Sequence, residues 1–188
     1  MVKNILLVSL GLFFFLFLMG TLFINKAIQS PEFAEMKAPP DILETPMKSP
    51  VAGIKAVRVP GTDTITLGQG ARNGLSFVNF WAPWCRPCLS ELPTIEKLYQ
   101  AQNGKMEFFI ISTDGPENQI RAFMKRKGYN FPAYRLVKTP QTDSLDRILP
   151  LTALSLGSEA LIYHKGAANW NSEVVHQLVE ELAGPPKN

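Results

Sequence analysis

The chain carries only two cysteines, and their position constrains the fold more than any other feature. Residues 75–81 (LSFVNFW) form a short apolar run, which is the pattern of a strand buried on both faces of a sheet. After Cys85 and Cys88, apolar residues recur at helical spacing from Leu89 onward. The sequence therefore predicts that a buried strand turns into a helix at this point, with both cysteines in the first helical turn.

The spacing of the two cysteines is poorly suited to a structural disulfide. A disulfide stabilises mainly by closing a loop in the unfolded chain, and a loop this short contributes little. A CxxC pair is more useful as a bond that forms and breaks. The other interpretations are weaker, although an inert pair or a metal site stays open. Structural zinc needs four ligands and His164 and His176 are remote in sequence, while haem attachment requires a histidine where Leu89 stands.

A helix start favours the reactive form of a cysteine. The thiolate is the nucleophile in disulfide exchange, and a helix N-terminus stabilises it through unpaired N–H groups and the helix dipole. We expect Cys85 to be the exposed attacking thiol and Cys88, one turn deeper, to resolve the mixed disulfide. Arg86 adds positive charge beside the site, and Pro87 stiffens the turn. No cofactor is expected other than the redox-active pair itself.

The rest of the chain alternates between strand and helix patterns. The predicted elements around the cysteine helix are a hairpin at 54–67, a buried strand at 105–113, a helix at 116–127, a hairpin at 152–164 and a closing helix at 172–182. Residues 129–149 are harder to interpret, apart from a short helix around 144–148. The predicted order is β-α-β-α-β-β-α behind an N-terminal β-hairpin, which is an α/β fold.

The N-terminal residues predict attachment to a membrane. Residues 5–24 carry no charge, and about 20 apolar residues are needed to cross the hydrocarbon core. We expect an uncleaved anchor after a cytoplasmic stub of residues 1–4, because the run is long and lacks a small-residue cleavage site; a long signal peptide is the alternative. Residues 25–53 contain five prolines and are typical of an extended linker. The folded domain is therefore expected over 54–186.

Composition limits the function further. Apolar residues make up 46% and charged residues 19%, which is typical of a globular domain and not of a disordered chain. The formal net charge of +3 is small and scattered, so binding to nucleic acid is not expected.

Residues 77–93 (FVNFWAPWCRPCLSELP) resemble the active-site segment of the thioredoxin superfamily, and within it the membrane-anchored TlpA, ResA and DsbE (CcmG) branch. The positions that fit the branch are Asn79, Trp81, Ala82, Trp84, Cys85, Cys88, Glu91 and Pro93. The resemblance covers roughly residues 54–183 and implies a thioredoxin-like fold, a central mixed sheet flanked by helices. It also implies a single-pass protein of the bacterial cytoplasmic membrane, with the catalytic domain on the periplasmic side.

The resemblance implies several further site residues. Pro150 matches the cis-proline that faces the CxxC, where the backbone of Leu149 would pair with a client segment; an ordinary turn proline is the alternative. Residues 166–170 resemble the glycine-then-tryptophan stretch before the last helix. Trp84 is expected on an exposed apolar rim that receives a partner. Glu91 is a candidate proton acceptor for the resolving thiol, although a solvated helix glutamate is the simpler interpretation.

The sequence thus predicts an exported thiol–disulfide oxidoreductase that reduces disulfides in client proteins. The resemblance implies that electrons arrive from a membrane-embedded dithiol carrier and that clients include apocytochrome c or other exported proteins, so cytochrome c maturation is one implied pathway. Two alternatives stay open. One is a disulfide oxidase or isomerase with the same chemistry, and the other is a non-enzymatic metal carrier that uses the same thiols.

Overall fold

The computed structural model describes residues 11–22, 38–68 and 74–183. The chain divides into two units, Met1–Lys37 and Ala38–Asn188. In the first unit, residues 11–22 are helical, and the remainder of the predicted span 5–24 lies outside the described residues. Over the three described ranges, we find no helix with both the length and the apolar character that a membrane crossing requires.

The second unit is built on one eight-stranded mixed sheet with the order β1-β8-β7-β4-β5-β6-β2-β3. The strands are β1 (Met47–Lys48), β2 (Lys55–Val59), β3 (Thr64–Thr66), β4 (Leu75–Trp81), β5 (Glu107–Ser112), β6 (Ala133–Leu136), β7 (Leu151–Leu156) and β8 (Glu159–Lys165). The helices of this unit are α1 (Arg86–Gln102), α2 (Glu117–Lys127) and α3 (Glu173–Ala183), and a 3-10 turn covers Leu145–Arg147. The predicted α/β class and mixed sheet are confirmed.

Strand β4 lies at the centre of the sheet. It pairs in parallel with β5 and antiparallel with β7, and all seven of its residues are buried. Phe77 and Trp81 pack in the main core with residues of all three helices, whereas Val78 and Phe80 pack in a second cluster on the other face. Because both faces are covered, the strand needs an unbroken apolar run, which is what its sequence provides.

The structure contains two strands, β1 and β6, that the predicted order of elements lacks. β6 lies inside the segment 129–149 that the sequence left open, and it pairs in parallel with β5 and antiparallel with β2. It joins the predicted hairpin of β2 and β3 to the central sheet. A four-residue strand with the sequence AYRL is too short to show a period.

The predicted linker requires a correction over its described part, which begins at residue 38. β1 pairs with β8, the Leu43 N–H donates to the Leu161 carbonyl at 2.9 Å, and the Asn169 N–H donates to the Ala38 carbonyl at 2.8 Å. These backbone hydrogen bonds hold the proline-rich segment against the domain, so the domain begins before the predicted boundary at 54. The first part of the linker, residues 25–37, and the predicted end of the domain, residues 184–186, lie outside the described residues.

Candidate active site

Cys85 and Cys88 lie at the start of α1, as predicted. Cys85 is the N-cap residue with an extended backbone, and its Sγ accepts a hydrogen bond from the Cys88 N–H at 3.3 Å. The two sulfurs form a disulfide with an S–S distance of 2.01 Å. The first turn of α1 carries no acidic residue. The positive end of the helix therefore faces the Cys85 sulfur without a competing negative charge in that turn.

The burial of the pair differs from the prediction. Cys85 is 5% exposed and Cys88 is fully buried, so the expectation of an exposed Cys85 is wrong for the disulfide form. The reason is that the disulfide ties Cys85 to Cys88, and both residues belong to the main apolar cluster. Solvent instead reaches an outer rim made of Trp84, Arg86 and Pro87.

Glu91 is the second correction, because it is 1% exposed and not a solvated helix residue. Its Oε1 accepts a hydrogen bond from Asn79 Nδ2 at 2.8 Å, and its Oε2 accepts from Trp170 Nε1 at 2.8 Å and from the Ala168 N–H at 3.1 Å. A sequence signal could have found this burial. Glu91 lies three positions after Cys88 on the stripe that continues to Ile95, and that stripe faces the core.

Burial raises the pKa of Glu91 from 4.5 to about 7, although the hydrogen bonds from Trp170, Ala168 and Asn79 act in the opposite direction. Desolvation disfavours the charged carboxylate more than the three donors favour it. Near neutral pH the side chain can therefore accept or release a proton, one helical turn from Cys88.

A buried network connects Glu91 to two other parts of the fold. We use this name for Asn79, Glu91, Thr152, Trp170 and the backbone of Ala168. Asn79 in β4 also donates to Thr152 Oγ1 in β7 at 2.8 Å, while its own Oδ1 has no partner. Trp170 is held from its backbone as well as its ring, since its N–H donates to Thr94 Oγ1 of α1 at 3.1 Å. Sequence reasoning did not identify the hydrogen bonds of Thr152 to Asn79 and of Ala168 to Glu91, because the folding of distant segments brings these residues together.

The segment before β7 has the predicted backbone geometry. The Leu149–Pro150 peptide bond is cis, and the Pro150 carbonyl accepts a hydrogen bond from the Gly166 N–H at 2.9 Å. Leu149 is half-buried, and among the described residues none hydrogen-bonds to its backbone. The role of these two residues in binding a client stays a prediction.

The two tryptophans near the cysteines have different environments. Trp81 is fully buried and packs against Phe123 at a ring-centroid distance of 4.9 Å, so its predicted place in the core is confirmed. Trp84 is 56% exposed, and its Nε1 donates to Asp114 Oδ2 at 3.1 Å. This hydrogen bond orients an aromatic ring that is open to solvent directly before Cys85.

The two histidines are not brought together with the cysteines as a ligand set. The His176 ring hydrogen-bonds to Gln102 and to Asn171, at the far end of α1 from the cysteine pair. The His164 ring lies edge-on to Trp170 at 6.0 Å. Across the described ranges, no group of three or more His, Cys, Asp or Glu side chains is arranged to hold a metal ion.

The sheet, the CxxC disulfide at the start of a helix and the cis-proline directly before β7, the antiparallel neighbour of β4, together define a thioredoxin-like fold. Comparison with known sequences agrees with this class. Residues 54–135 match the model of the AhpC/TSA family. The chain is 37% identical over 112 residues to the thiol-disulfide oxidoreductase ResA of Halalkalibacterium halodurans, covering 56% of this chain and 58% of that protein. It is 32% identical over 91 residues to the thioredoxin-like protein YneN of Bacillus subtilis, covering 42% and 54%.

Comparison with solved structures supports the same fold. The thioredoxin domain of a thiol-disulfide oxidoreductase from Bacteroides vulgatus superposes with a TM-score of 0.56 at 18% identity, covering 71% of this chain and 97% of that one. The chain spans a little over half the length of the two curated relatives described above. The predicted resemblance is confirmed: the domain has a thioredoxin-like fold and is similar in sequence to proteins named ResA and YneN.

Proposed function

We propose that the protein is a thiol–disulfide oxidoreductase that reduces disulfides in client proteins. The observation that carries this proposal is the Cys85–Cys88 disulfide at the N-terminus of α1, one turn from the buried Glu91. The name of the ResA relative, a thiol-disulfide oxidoreductase, supports the same activity.

The first step forms a mixed disulfide between the client and Cys85. In the dithiol form, the Cys85 thiolate attacks one sulfur of the client disulfide, a new S–S bond forms, and the other client sulfur leaves as a thiolate. The start of α1 favours this thiolate through the helix dipole and the Cys88 N–H, which already points at the Cys85 sulfur.

The second step releases the client. Cys88 loses its proton to Glu91 and attacks Cys85 Sγ, so that the Cys85–Cys88 disulfide forms and the second client sulfur leaves as a thiolate. Two electrons have then passed from the protein to the client, and an external dithiol must return them. A carboxyl group with a pKa of about 7 is suited to accept that proton near neutral pH.

The client is proposed to bind across the outer rim and the cis-proline segment. Trp84 offers an exposed aromatic surface beside Cys85, and Leu149 offers backbone groups that the described residues leave unpaired. An extended client segment would pair with that backbone as an added strand, with its cysteine next to Cys85.

Location and partners are part of the same proposal. Residues 5–24 would anchor the chain in the cytoplasmic membrane of a bacterium, with the catalytic domain on the periplasmic side. There a membrane-embedded dithiol carrier would supply electrons, and the clients would be exported proteins that carry disulfides, apocytochrome c among them.

The direction of the reaction is tested by the reduction potential. The full-length chain is equilibrated with glutathione mixtures of known ratio, and the dithiol fraction is measured by thiol alkylation. We expect a reducing potential, near thioredoxin's value of about −270 mV. A potential near about −120 mV, as in DsbA, would instead support the oxidase alternative.

Clients are tested with a trapping variant. Cys88→Ser should accumulate mixed disulfides between Cys85 and client proteins, because the resolving thiol is missing. The matched control, Cys85→Ser, should accumulate few of them. Equal trapping by both variants would contradict the assigned order of attack.

A further inference from the structure

A recess of about 320 Å³ borders the active-site loop at the carboxyl ends of β5 and β6. Its lining consists of Thr113–Pro116, Arg135, Leu136 and Lys138. In sheets of this kind, ligands bind beyond the carboxyl ends of parallel strands. The Thr113 N–H donates to the Trp81 carbonyl at 2.9 Å, so the recess lies beside the end of β4, from which the cysteine loop continues.

Two contacts connect the recess to the parts of the site that would hold a client. On one side, Asp114 accepts the hydrogen bond of Trp84, and a Cβ at Gly115 would be in ordinary van der Waals contact with Pro83 Cγ, at 3.8 Å. On the other side, Lys138 Nζ lies 3.8 Å from Asp146 Oδ2, in the 3-10 turn that leads to Pro150. A client segment seated over Cys85 would therefore pass close to the recess.

The charge of the lining favours an anion. Arg135 and Lys138 are exposed cations, and Arg135 makes no salt bridge with a carboxylate of the described residues. Asp114 is the single carboxylate among the lining residues. Both of its oxygens are already engaged, Oδ2 by Trp84 and Oδ1 by the Gly115 N–H at 2.8 Å. Lys138 faces Asp146, so Arg135 is the cation of the lining that has no carboxylate partner among the described residues.

A carboxylate fits this recess, because its charge complements that of Arg135 and a guanidinium can donate two parallel hydrogen bonds to its two oxygens. The Thr113 hydroxyl is enclosed and takes no part in this contact.

We propose that this recess binds the carboxylate side chain of an aspartate or glutamate in the client, close in sequence to the client cysteine that Cys85 attacks. The inference rests on the proposed function and deepens it, since it names the class of client that the site prefers. Clients with an acidic residue beside their disulfide are reduced faster than matched clients without one.

The test uses peptides that each contain one intramolecular disulfide. The aspartate is placed two, three or four residues from either cysteine, and each peptide has a twin with asparagine at the same position. At the best position, the reduced full-length protein should show a kcat/KM about fivefold higher for the aspartate peptide than for its twin, as expected for a partly exposed charge pair with a hydrogen bond. High salt should lower this ratio, because it screens exposed charges.

Variants assign the preference to the recess. Arg135→Gln should bring the ratio close to one, and Lys138→Gln, which removes the cation that faces Asp146, should lower it about twofold or less. Arg121→Gln, an exposed arginine of α2 outside the recess, is the matched control and should keep the full ratio.

The possible failures are distinguishable. Equal rates for every aspartate and asparagine pair would overturn the inference and leave the proposed function standing, as would a preference that both recess variants retain. If no peptide is reduced at all, the proposed function fails, and the inference fails with it.

Discussion

The two sides of the Cys85–Cys88 disulfide have different chemistry. On the inner side, the buried network surrounds Glu91, which accepts three hydrogen bonds at 1% exposure. On the outer side, the rim offers Trp84 and Arg86 to solvent. Under the proposed function, the inner side would serve proton transfer for every client, whereas the outer side would determine which clients bind.

The largest expected effect tests the inner side. Glu91→Gln should slow the resolving step at pH 7 by about 10²-fold or more, because general base catalysis contributes 10²–10⁴-fold. The wild-type rate should rise with pH through about 7, as Glu91 loses its proton, and the variant should lack this rise. Single-turnover kinetics with acid quenching measures the decay of the mixed disulfide.

The Glu91→Gln variant is expected to fold. Glutamine can keep an oxygen toward Trp170 and Ala168 and present its amide to Asn79, whose unpaired Oδ1 can accept after the Asn79 amide rotates. Glu96→Gln is the control, since Glu96 is a buried glutamate of α1 that hydrogen-bonds to Asn130 and Phe131. Equal slowing in both variants would remove Glu91 from the mechanism.

The second prediction concerns stability and pH. The folded pKa of Glu91, about 7, exceeds the unfolded value of 4.5, so the native state binds more protons between these values. The contribution is fully present below pH 4.5 and is lost as pH rises through about 7. It amounts to about 3 kcal/mol, because a pKa of about 7 in place of 4.5 is converted at 1.36 kcal/mol for each factor of ten in proton affinity.

Urea unfolding of the disulfide form at several pH values measures the contribution of Glu91 to the free energy of unfolding. The wild-type free energy of unfolding, minus that of Glu91→Gln, should fall as pH rises from 4.5 to 8. Subtraction of the variant removes the other titrating groups. A flat difference would show that Glu91 is not desolvated, and the contrast between the two sides would then disappear.

The third prediction tests the outer side. Trp84→Ala should lower kcat/KM for protein clients about tenfold, the usual scale for an aromatic contact residue, and leave reduction of glutathione disulfide unchanged. The residue is 56% exposed, so its loss should not disturb the core. Trp84→Phe keeps an aromatic ring but loses the hydrogen bond to Asp114. Its kcat/KM for protein clients should lie between the values of the wild type and of Trp84→Ala. An equal loss of kcat/KM with glutathione disulfide would show that Trp84 acts in the exchange reaction itself and not in client binding.

The smallest effect is expected at Arg86. Its side chain is exposed, and exposed charge pairs contribute about 0.2–1 kcal/mol. Arg86→Ala should therefore slow alkylation of reduced Cys85 about twofold near pH 7, and Arg86→Lys should restore the rate. An unchanged alkylation rate in Arg86→Ala would show that the charge of Arg86 does not affect the reactivity of Cys85.

The features that sequence reasoning identified are those encoded by neighbouring residues. The apolar run of β4 and the helical spacing after Cys85 are both patterns of residues that are close together in sequence. Both the strand and the helix lie where the sequence predicts them. The buried network is different, because Asn79 and Thr152 are 73 residues apart and Glu91 and Ala168 are 77 apart. No local pattern records which distant donor will meet a buried carboxylate. The burial of Glu91 was nevertheless readable from its position three residues after Cys88.

The attachment of the segment that begins at Ala38 has a practical consequence for anyone who shortens this protein. A version that starts at residue 54 would lack β1, leaving β8 as an open edge on which other chains can pair. It would also lack the Ala38 carbonyl that holds Asn169, in the loop from which Ala168 and Trp170 reach Glu91. A shortened form intended for crystallisation or for titration of Glu91 should therefore keep residue 38 and everything after it.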